Sequence, residues 1–141
     1  MPEDEDTIEA LITRHLRVGW LGLALFVVLG TVLELLHAIK SPVFVDAGRE
    51  TTRLLLRLAH AHGTLIAIVN VVYALTVRQR PRAGSGAASG ALLAALVLVP
   101  GGFFLGAFWA RGGDPGLGVL LVPAGAAALV IGAVTVVRRV G

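Results

Sequence analysis

Five ionisable side chains stand inside otherwise apolar sequence: Glu34 and His37 in one run, and Arg57, His60 and His62 in the next. Ionisable groups in apolar spans are costly, so their default reading is functional. On a helix, Glu34 and His37 lie about 60° apart and share a side with Phe26 and Gly30. On the next helix Arg53, His60, Gly63, Ala67, Asn70 and Ala74 fall within an arc of about 100°. That arc is small or polar, which assigns it to the interior. His62 lies about 200° from His60, so the two cannot chelate one ion on a regular helix.

Three chemistries fit these residue types. The first is haem b, with His37 and His60 as axial ligands and Arg57 and Arg53 pairing the propionates. The fragment Arg57-Leu58-Ala59-His60-Ala61-His62-Gly63 resembles the low-spin haem helix of haem-copper oxidases and nitric oxide reductases, through an arginine shortly before a histidine. That resemblance covers one helix and implies haem ligation. The rest of the family's histidine set is absent, so oxygen and nitric oxide chemistry are not carried over. The second is one divalent metal held by Glu34, His37 and His60, with His62 as a further candidate. Glu34-x-x-His37 has the spacing that carboxylate metal proteins use within bundles, but no further carboxylates come from the later helices, which argues against a di-iron site. The third is proton-linked transport or quinone binding through a Glu beside a His, which in so small a chain requires a homo-oligomer. Against all three stands a purely structural cluster, with Glu34 paired to Arg57 or Lys40.

The elements that position these groups follow from composition. The chain has 141 residues, 56% of them hydrophobic and 15% charged, against about 25% charged in soluble proteins. The charges cluster between long apolar runs. Residues 1–16 are polar, and Thr7–Arg17, with Ile8, Leu11, Ile12 and Leu16 on one side, predicts a short interfacial helix. Spans are expected at 17–39, 54–77, 91–109 and 117–138, joined by a loop at 42–52 with Asp46 as N-cap, a flexible basic linker at 78–90 and a tight turn at 111–116. Pro100 and Pro123 are expected to kink their helices. Gly101, Gly102, Gly106, Gly125 and Gly132 suit close helix packing. The fold class is all-α: an integral membrane four-helix bundle running up-down-up-down, antiparallel, as one domain.

Arginine and lysine set orientation. Arg14, Arg17, Arg78, Arg80, Arg82, Arg138 and Arg139 fall on one side, and Lys40, Arg49, Arg53, Arg57 and Arg111 on the other. The excess predicts cytoplasmic termini in the cell inner (plasma) membrane, and Trp20 and Trp109 fall near opposite interfaces. The same arginines serve lipid headgroups rather than nucleic acid, because no basic stripe is interleaved with stacking aromatics. With no cysteine, thiolate sites and disulfides are excluded. No serine falls within the four expected spans and there is no Gly-x-Ser-x-Gly elbow, so the sequence points away from a hydrolytic enzyme. Asn70 needs a buried partner, and Arg111 and Asp114 are expected to pair across the last turn. The expected partners are the bilayer and a homo-oligomer or larger membrane complex.

Overall fold

The computed structural model describes residues 2–111 and 113–141, with side chains from Glu5 onward. The first helix, α1, runs unbroken over Pro2–Ala38. No proline interrupts it, so the expected interfacial helix and first span are one rod of 37 residues, about 55 Å long. Ile8, Leu11, Ile12 and Leu16 pack into a core with Tyr73, Ala74 and Val77. The stop at the other end is a left-handed turn. Lys40 has φ +51°, and the Ser41 and Lys40 amides bond back to the Leu36 and His37 carbonyls, which satisfies the last carbonyls of the helix.

The expected loop contains a short helix, α2 (Pro42–Val45), and a 3₁₀ turn over Ala47–Arg49. Asp46 caps that turn, accepting from the Gly48 amide at 2.7 Å, and so does not cap the following helix directly. The long helix α3 spans Glu50–Gln79. The linker contracts to residues 80–85, with a 3₁₀ turn at Pro81–Ala83 whose Ala83 is buried. Ser85 then caps α4 (Gly86–Phe108) by accepting from the Ala88 amide at 3.1 Å. The helix therefore begins earlier than the expected span and takes in Ser89. Arg111 and Asp114 pair through their backbones, each amide donating to the other's carbonyl at 3.0 Å. No side-chain ion pair joins them among the described residues. Gly113 supplies the left-handed turn at φ +93°. The last helix, α5, covers Leu121–Val140 after a 3₁₀ turn at Leu117–Leu120. Pro100 stays inside α4, whereas Pro123 stands in the first turn of α5, where a missing amide is harmless and no kink is required.

The described residues are helical throughout apart from short turns, and among them are four helices long and apolar enough to cross a membrane. They form an open row: α1 packs on α3, α3 on α4 and α4 on α5, with no extensive interface between α1 and α5 among the described residues. The seams are built from glycine against bulk. A Cβ at Gly63 would fall 2.4 Å from the Phe26 ring, and one at Gly30 would fall 2.4 Å from the His60 ring, so each helix inserts one ring over the other's glycine. On the α4–α5 seam Gly102 meets Val122, Gly125 meets Val99 and Gly132 meets Leu92. Small residues at these positions let the helix backbones approach closely. Gly101 faces open space, at the edge of an apolar groove of about 650 Å³ between α1 and α4 lined by Leu25, Leu29 and Phe104.

Candidate functional site

The most elaborate polar arrangement centres on His15, a residue outside the set singled out from the sequence. His15, Asn70 and Ser89 are each fully buried, at 0% exposure. They come from α1, α3 and α4. The His15 Nδ1 lies 2.7 Å from Asn70 Oδ1, and its Nε2 lies 2.8 Å from Ser89 Oγ. The Asn70 amide nitrogen donates to the Ile66 carbonyl at 2.9 Å, which fixes Oδ1 as the acceptor facing the ring. The Arg14 guanidinium donates to Ser89 Oγ at 2.5 Å.

With the His15 ring neutral, these bonds assign every proton in one direction. Arg14 is donor only, so Ser89 accepts from it and gives its own hydroxyl proton to His15 Nε2. His15 Nδ1–H then donates to Asn70 Oδ1, and Asn70 donates to Ile66. The chain begins at exposed Arg14 and ends on a backbone carbonyl of α3. Tyr73 closes it from the side. Its ring meets the His15 ring edge-on at 4.8 Å and 81°, and its hydroxyl accepts from the Ser85 amide at 3.2 Å and lies 3.3 Å from the Ser85 carbonyl. The only buried side-chain polar atom without a partner among the described residues is Thr64 Oγ1.

His15 carries a sequence signal. It falls seven residues after Ile8, four after Leu11 and three after Ile12, on the stripe that forms the helix's buried face. Reading residues 1–16 as a separate polar segment hides it. Asn70 finds both a backbone carbonyl and a side chain across the seam.

The second set of groups lies toward the other end of α1. His60 is half-buried and donates from Nδ1 to the Phe26 carbonyl at 2.6 Å, its ring flat against Gly30. His62 faces the other way, bonding the Leu58 carbonyl at 2.9 Å beside Phe103. His37 is exposed, with its ring centre 6.3 Å from that of Phe44 and nearly perpendicular to it. Arg53 is committed to the loop, donating to the Phe44 and Asp46 carbonyls at 2.9 and 2.7 Å. The Arg57 guanidinium sits 6.0 Å from the Phe44 ring centre. Glu34 makes no ion pair with Arg57 or Lys40, against the structural pairing expected for it. Among the described residues no three His, Asp or Glu side chains gather closely enough to hold a metal ion, so Glu34, His37, His60 and His62 do not form the expected ligand set. Nor does the arrangement support haem b: the Phe26 and His60 rings pack against Gly63 and Gly30 in the α1–α3 seam, and Arg53 donates to the loop carbonyls of Phe44 and Asp46.

Comparison with protein families, with curated proteins and with solved structures finds no match.

Proposed function

We propose that this chain is a non-catalytic integral membrane protein, a helical subunit whose buried polar groups set helix register. The observation that carries this reading is the one-way chain from Arg14 through Ser89, His15 and Asn70 to the Ile66 carbonyl. Every member is satisfied, and the chain stops at a carbonyl committed to a helix, as a lock does and a proton path does not. Membrane embedding is supported by the four apolar helices among the described residues and by outward faces rich in Leu, Val and Ile, such as Leu21, Leu25 and Val28 on α1. An up-down-up-down, antiparallel order is supported by the pairing of Gly22 with Ala67 and Gly30 with His60, and of Gly102 with Val122 and Gly132 with Leu92. The arginine excess beside the termini supports cytoplasmic termini in a cell inner membrane. The open row leaves α1 and α5 as edges for a second copy or a partner subunit.

The test is an absorption spectrum and elemental analysis of detergent-purified protein, with His60→Ala in parallel. The expected result is a colourless, metal-free protein with or without the substitution. A Soret band or a stoichiometric metal that disappears in His60→Ala would overturn the reading in favour of a cofactor protein.

A further inference from the structure

A pocket of about 390 Å³ opens between α1 and α3 on the flank away from α4, bounded by Gly30, Thr31, Glu34, Arg57 and His60. It holds one cation and one carboxyl group, both exposed. Neither makes an ion pair with the other or with any other described residue. His60 adds an acceptor in its neutral form, whose Nδ1–H donates to the Phe26 carbonyl and whose lone pair is then on Nε2. Opposite charges that border one cavity without meeting suit a ligand that carries both charges itself.

Depth along α1 narrows the ligand class. No charge occurs between Arg17 and Glu34, a rise of about 26 Å, close to the roughly 30 Å of a hydrocarbon core. If Arg17 marks one face, Glu34 and the pocket stand at the headgroup level of the other. The surrounding surface is apolar, with Val27, Val32 and Leu35 exposed beside Glu34, where acyl chains lie.

We propose that this pocket binds the headgroup of a zwitterionic phospholipid with a primary ammonium, a phosphatidylethanolamine. Arg57 takes the phosphate through its planar fork of donors. Glu34 and His60 Nε2 accept from the ammonium. A choline headgroup has no N–H to offer these acceptors, and a glycerol headgroup places net negative charge beside Glu34. The site is independent of the His15 lock but rests on the membrane reading.

Native mass spectrometry of the detergent-solubilised protein tests it, with ethanolamine, choline and glycerol phospholipids of identical acyl chains. One lipid per chain should be retained with about a tenfold preference for ethanolamine over choline, the worth of one hydrogen bond to a charged group. Glu34→Gln should reduce that preference severalfold, and Arg57→Gln should weaken retention of both lipids. Both positions are exposed, and circular dichroism checks that the variants fold. Equal retention of ethanolamine and choline lipids, stronger retention of the glycerol lipid, or an unchanged preference in Glu34→Gln would overturn the site. A chain that stays monodisperse in buffer without detergent would instead overturn the membrane reading beneath it.

Discussion

Replacing His15 with leucine keeps the volume of the side chain roughly constant and removes both ring nitrogens from a fully buried position. Three partners respond differently. Ser89 keeps the Arg14 donor and can turn its hydroxyl toward the Ser85 carbonyl one turn back. Tyr73 loses an edge-on ring but keeps its bonds to Ser85. Asn70 is left with a buried, unpaired Oδ1, while its amide still reaches Ile66. One orphaned acceptor costs about 1–3 kcal/mol. Polar contacts between membrane helices average about 0.6 kcal/mol, which pulls the expected loss toward the lower half of that range, about 1–2 kcal/mol. Asn70→Leu should cost a similar amount by orphaning the His15 Nδ1–H. The double variant removes both partners and orphans neither, so it should lose about 1 kcal/mol less than the sum of the single losses. The assay is reversible SDS unfolding in mixed micelles, followed by circular dichroism, on the wild type and three variants. Strict additivity within about 0.3 kcal/mol would refute the coupling and, with it, the directional chain.

The glycine seams give sharper contrasts. Gly30→Ala drives a methyl into the His60 ring and should destabilise by about 1–3 kcal/mol in the same assay; His60→Ala in that background should recover part of the loss, because the ring is what the methyl strikes. Gly101 and Gly102 are adjacent in α4, yet only Gly102 is enclosed, with a new Cβ 2.9 Å from Val122 and 3.1 Å from the Gly118 carbonyl. Gly101→Ala should therefore stabilise by up to about 1 kcal/mol through helix propensity while Gly102→Ala destabilises, and equal effects of the two would show that the α4–α5 seam is not packed as described.

Much of the architecture is readable from the sequence because hydropathy acts locally. Long runs without charge can only be long helices, and Ser41-Pro42, Pro81 and the glycines of 112–116 mark where they stop. The helix edges are less readable. A hydropathy trace separates residues 5–16 from the run that follows, but the boundary there is one of polarity and not of backbone. The chain therefore continues as helix through Arg14, His15 and Arg17, and Ser85 starts α4 early enough to include Ser89.

The polar sites divide along the same line. The sequence by itself determines which side chains are anomalous: Glu34, Arg57, His60 and Asn70 stand out because charge or amide in an apolar run needs an explanation. Their partners depend on helix register and crossing, which are set by where glycines let two backbones approach. Gly30 admits the His60 ring and Gly63 admits Phe26, and that interlock leaves no metal cluster among the described residues. The same packing brings His15 of α1, Asn70 of α3 and Ser89 of α4, separated by 55 and 74 positions from the histidine, within hydrogen-bond distance of one ring. Composition and periodicity act over a few turns of helix. Which three turns from three helices share a point in space is decided only when the seams close.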